Sequence, residues 1–130
     1  MFFELERYQS SSARIKIPHG IVVHNGTVYQ YWLPQNSLAR KFKKIGTINN
    51  LELLTQEIQF LITHGPSHTP TAATTHIKAE IVYSVKYWEH PSSKRMFTLA
   101  SFGHTIKDPL TEQAKHLIDL LDFAYAGAFM

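Results

Sequence analysis

The sequence predicts an α+β fold. The expected architecture is an antiparallel sheet built from two hairpins plus N-terminal strand segments, with two central helices and a C-terminal helix packed on one face. Three observations carry this expectation. An Asn-Gly pair sits between two β-branched and aromatic runs. Residues 77–88 alternate with period two, and residues 110–124 repeat apolar side chains at helical spacing. Strands joined by tight turns pair antiparallel, and helices then cover one side of the sheet.

In chain order, Phe2 to Tyr8 fits a strand or a helical turn, with the strand preferred, and Arg14 to Ile17 reads as a short strand broken by Pro18-His19-Gly20. Ile21 to Trp32 is a hairpin around Asn25-Gly26, because that pair tolerates the positive φ values of a type I′ turn. Ser37 then caps a short helix over Leu38 to Ile45, closed by Gly46, with Leu38, Phe42 and Ile45 on one face. Asn49 or Asn50 opens a second helix whose inward stripe is Leu51, Leu54, Ile58 and Leu61. Residues 65–75 are rich in Pro, Ser and Thr and read as a loop. The alternating run 77–88 turns at His90-Pro91-Ser92-Ser93 and returns as a strand from Met96 to Phe102. Asp108-Pro109 signals the start of the C-terminal helix, with Leu110, Ala114, Leu117, Ile118, Leu121 and Ala124 inward.

The 130 residues, 44% hydrophobic and 18% charged, fit one globular domain spanning 1–130. Folding a chain of this length buries about two thirds of its unfolded surface, so no covalent staple is required. With no cysteine, the chain has no disulfide, thiolate metal site or cysteine nucleophile. The N-terminus places Glu4 and Glu6 where a secretory leader needs bases, and no long apolar run follows. The expectation is therefore a soluble cytoplasmic protein, or one delivered into another cell's cytoplasm without a standard leader, with no transmembrane segment.

Charge is unevenly placed. Residues 7–51 contain no acid and seven bases, namely Arg7, Arg14, Lys16, Arg40, Lys41, Lys43 and Lys44. The C-terminal segment is acidic, with Asp108, Glu112, Asp119 and Asp122 against Lys115. The cluster Arg40, Lys41, Lys43, Lys44 is the first candidate for partner binding, because such basic amphipathic segments attract acidic proteins, phosphate backbones or anionic headgroups. Arg14 and Lys16, with Tyr29 and Trp32 as stacking platforms, form the alternative nucleic-acid surface. The bland reading of every such run is a solvated face.

His64, His68 and His76 surround the central loop, and three imidazoles are a ligand count for zinc. Their spacing is not the helical H-E-x-x-H, since Gly65 and Pro66 follow His64. No acid between Glu57 and Glu80 is present to orient them, so no metal and no cofactor are expected. No G-x-S-x-G, P-loop, G-x-G-x-x-G or paired-carboxylate motif occurs, so no catalytic residue is assigned. The apolar end, 123–130, either packs on its own sheet or offers Phe129 and Met130 to a partner or a second copy of the chain.

The sequence thus points to a non-catalytic interaction module, such as an adaptor, inhibitor or small effector, that binds an acidic or mixed protein surface. The alternatives are nucleic-acid or anionic-surface binding through 7–51, and a small histidine-dependent hydrolase or nuclease.

Overall fold

The computed structural model describes residues 2–65, 72–73, 79–103, 105–106 and 111–130. The strands are β1 (Phe2–Gln9), β2 (His19–His24), β3 (Thr27–Trp32), β4 (Lys41–Thr47), β5 (Ala72–Ala73), β6 (Ile81–Trp88), β7 (Lys94–Phe102) and β8 (Thr105–Ile106). The helices among the described residues are α1 (Leu51–His64) and α2 (Glu112–Phe129). Six strands form one antiparallel sheet in the order β4-β3-β2-β1-β6-β7, and β5 pairs with β8 in a separate two-stranded ladder.

The N-terminal strand therefore lies in the middle of the sheet, paired on both sides with β2 and β6. Period-two alternation divides its side chains. Phe3 and Leu5 join Ile21, Val23, Val85 and Leu99 in the core under the two helices. Glu4, Glu6 and Tyr8 project from the other face, opposite His24, Val22 and Gly20. Leu54, Ile58 and Leu61 of α1 and Leu117, Ile118 and Leu121 of α2 close the core, as their helical spacing predicts. Burying one such side chain contributes roughly 1.5–3 kcal/mol.

The hairpin between β2 and β3 turns at Asn25 and Gly26, with φ 47° and 89°, the left-handed pair that a type I′ turn requires. Asn50, not Asn49, caps α1, its Oδ1 accepting from the Leu53 amide at 3.1 Å. Thr111 caps α2 by accepting from the Ala114 amide, and Asp108-Pro109 falls outside the described residues.

The helix expected over Leu38 to Ile45 is absent, so the described residues contain one central helix rather than two. Residues 41–47 form β4, the outermost strand, paired with β3. The reason is backbone satisfaction. As a strand, 41–47 gives the outer groups of β3 their ladder partners. The supposed helical stripe has no core to meet, for Leu38 is 104% exposed. Ser37 caps a turn instead, its Oγ accepting from the Ala39 amide. Arg14 to Ile17 is also not a strand, and His19 and Gly20 begin β2 rather than breaking it.

Candidate functional site

The strand β4 carries its lysines on both sides. Lys41 and Lys43 stand opposite Trp32 and Gln30 on the helix-covered side, while Phe42 and Lys44 stand opposite Tyr31 and Tyr29 on the open side. Every residue of β4 except Gly46 is exposed. Lysines along an edge strand oppose strand-to-strand aggregation, so their presence alone is a structural device. Among the described residues, however, Lys41, Lys43 and Lys44 make no ion pair.

A bulge in the β3–β4 ladder, between Val28 and Tyr29, leaves Ile45 as the extra residue. Bulges re-aim side chains, and here Ile45 faces α2. Val28, Ile45 and Ile48 form one wall of a cleft of about 630 Å³, and Leu120, Phe123 and Ala124 of α2 form the other. Asp119 is the one ionised side chain lining it among the described residues. Phe123 is 85% exposed at its mouth. An apolar cleft beside a strand that carries Lys41, Lys43 and Lys44 is chemically suited to an apolar side chain carried on an acidic segment.

The flank of α2 is held in place by buried and half-buried polar contacts. Arg7 Nε donates to Asp122 Oδ1 at 3.0 Å, and the Tyr83 hydroxyl donates to the same oxygen at 2.5 Å. The guanidinium lies 3.7 Å from the Tyr125 ring centroid and donates to Gln9. Burial, then the bond to Asp122, push the Tyr83 hydroxyl up to about 12. Beside them His19 is fully buried, donating from Nδ1 to the Ile17 carbonyl and accepting at Nε2 from the Tyr125 hydroxyl at 2.7 Å. Burial lowers its pKa; the Ile17 bond opposes this and the charge of Arg7 adds to it. Phe129 packs on the His19 and Tyr125 rings, so that part of the apolar end folds onto its own sheet, whereas Met130 is 82% exposed.

On the open side, Glu6 is buried and accepts from the Tyr31 hydroxyl and from Arg40 Nη1 at 3.1 Å, with Lys86 Nζ at 3.8 Å. Arg40 also covers the Tyr31 ring at 4.8 Å. The fourth member of the basic cluster thus has an intramolecular carboxylate partner, whereas Lys41, Lys43 and Lys44 have none among the described residues.

Tyr29 and Trp32 lie on opposite faces of β3, because they are three positions apart on a strand of period two. Arg14 sits on the β1–β2 connection beside Arg7, Tyr125 and Phe129. Lys16 belongs to the same connection, so the four residues of the nucleic-acid alternative do not form one surface. His64 stacks on Phe60 and bonds its own helix carbonyl. His68 and His76 lie outside the described residues. Sequence reasoning missed the Glu6 and Arg7 networks. The available signal was three charged residues, Glu4, Glu6 and Arg7, inside a strand-like run. No helix among the described residues is long and apolar enough to cross a membrane. No protein-family model, curated protein or solved structure matches this chain.

Proposed function

We propose that this chain is a non-catalytic protein-interaction module that takes an acidic segment of another protein along the β4 edge and the adjoining α2 cleft. One observation carries the reading: Lys41, Lys43 and Lys44 make no ion pair among the described residues, and the strand that carries them also lends Ile45 to an apolar cleft whose mouth holds an exposed phenylalanine. The lysines steer an acidic partner and select against basic ones, while burial of Phe123 and Ile45 supplies affinity. A nucleic-acid polyanion fits less well. Two of the seven bases of the acid-free stretch, Arg7 and Arg40, are engaged by Asp122 and Glu6.

The test is recovery of the partner from the native host on immobilised protein, in parallel with Lys43→Glu/Lys44→Glu and with Phe123→Asp. The partner's affinity is then titrated against salt. The reading requires an acidic protein that both variants lose and whose affinity falls with salt. A partner retained by both variants at all salt concentrations sinks it, as does a partner that is RNA or DNA.

A further inference from the structure

A second recess lies on the open face of the sheet, away from the α2 cleft. It measures about 260 Å³ and is lined by Glu4, Val22, His24, Tyr29 and Phe42. Sites for drug-sized ligands run to roughly 300–1,000 Å³, so this pit fits a head group rather than a whole cofactor. Cross-strand register builds it: Val22 faces Tyr29, Glu4 faces His24, and Phe42 reaches in from β4. The Tyr29 and Phe42 rings stand at 86° with centroids 6.4 Å apart, two walls meeting nearly at a right angle.

From this geometry we infer that the pit binds an alkylammonium group, held by the faces of Tyr29 and Phe42 and by the carboxylate of Glu4. Aromatic faces carry a negative quadrupole and attract cations, most strongly quaternary ammonium, which sheds its water easily. The lining contains a carboxylate and, among the described residues, no Lys or Arg, although Lys44 and Lys86 stand nearby on the same face. Within the lining itself, the Glu4 carboxylate favours a cation over an anion. The lining also lacks the donor set for a metal, since one carboxylate and one imidazole at 3.8 Å leave the remaining walls apolar or aromatic. The site shares no lining residue with the α2 cleft and stands or falls apart from it.

Choline is titrated into the protein and followed by its N-methyl proton resonance, which ring currents move upfield over an aromatic face. The neutral isostere 3,3-dimethylbutan-1-ol and a peptide carrying trimethyllysine are titrated in parallel. Choline or the peptide should bind at least about tenfold more tightly than the isostere, and the tighter of the two identifies the source of the cation. Glu4→Gln removes charge and keeps shape. Phe42→Leu keeps apolar contact and removes the ring on an exposed strand. Each should weaken binding about fivefold or more, with an unchanged circular dichroism spectrum. Equal binding of choline and the isostere, or no shift with either cation at tens of millimolar, overturns the assignment. So does undiminished choline binding by both variants.

Discussion

The Tyr31 hydroxyl reaches across Gly20 to donate to Glu6 Oε2 at 2.5 Å, joining three adjacent strands on the open face of the sheet. The carboxylate it meets is buried and also holds Arg40 and Lys86. Burial, then the charge of Glu6, push the Tyr31 hydroxyl well above its ordinary pKa, so it is a donor throughout the physiological range. The glycine is a condition of this crossing. A Cβ on Gly20 would lie 2.9 Å from the Tyr31 hydroxyl and 1.9 Å from the Arg7 carbonyl oxygen.

Removing the donor and obstructing the crossing should therefore differ in cost. Tyr31→Phe leaves Glu6 with its two cations and should destabilise by about 1.5–3 kcal/mol, the range for a hydrogen bond to a charged group. Gly20→Ala forces backbone to move and should cost at least about 3 kcal/mol. Urea denaturation of both variants gives the order. Gly20→Ala milder than Tyr31→Phe would mean the strands part freely at this point.

His19 makes stability depend on pH. Its pKa is lowered in the folded chain by burial, so the unfolded chain binds the proton first as pH falls. The stabilisation from neutral His19 is complete above its ordinary value of 6.5 and is lost as pH falls from there toward the lowered folded value. Protonation would also place a hydrogen on Nε2, where the Tyr125 hydroxyl donates. Melting temperatures from about pH 7.5 down to about pH 5 should fall for the parent protein, and less steeply for His19→Asn. Parallel slopes for the two proteins would assign the pH dependence to other groups.

Leu121 is fully buried between α2 and the sheet. Leu121→Ala should cost about 2–5 kcal/mol in chemical denaturation. A loss below about half a kcal/mol, as at surface sites, would place the residue outside the packed core.

The parts of this fold that were legible in the sequence are those set by local chemistry. Asn25-Gly26 dictates its turn through φ alone, and the stripes Leu54, Ile58, Leu61 and Leu117, Leu121 dictate which helix faces turn inward. Residues 38–45 were misread because Leu38, Phe42 and Ile45 match helical spacing, while Lys41 to Lys44 match an edge strand equally well. The decision rests on β3 needing a partner, which is a long-range fact. The apolar cleft was illegible for the same reason: a bulge between distant segments sets Ile45 in the wall facing Leu120, Phe123 and Ala124 of α2. Glu6 and Arg7 lie side by side in sequence, but alternation sends one to each face, where partners from distant segments bury them.

Reversal of Arg40 and reversal of the β4 lysines should differ in their cost to stability. Arg40 bonds Glu6 at 3.1 Å and covers the Tyr31 ring, whereas Lys43 and Lys44 have no ion pair among the described residues. Reversing Arg40 to Glu sets a second carboxylate against a buried one. Arg40 is itself 42% exposed, so water screens part of the effect, and the expected cost is about 1–2 kcal/mol. Reversing Lys43 and Lys44 together removes no intramolecular pair and relieves repulsion within a chain of net charge +3. Stability should stay within about 0.5 kcal/mol of the parent. Thermal and urea unfolding of the two variants should therefore separate, while partner binding follows the opposite order, with the lysine reversal abolishing it and Arg40→Gln retaining most of it. Were the lysine reversal as destabilising as Arg40→Glu, those lysines would have intramolecular work to do, and the β4 edge would cease to be a free basic surface.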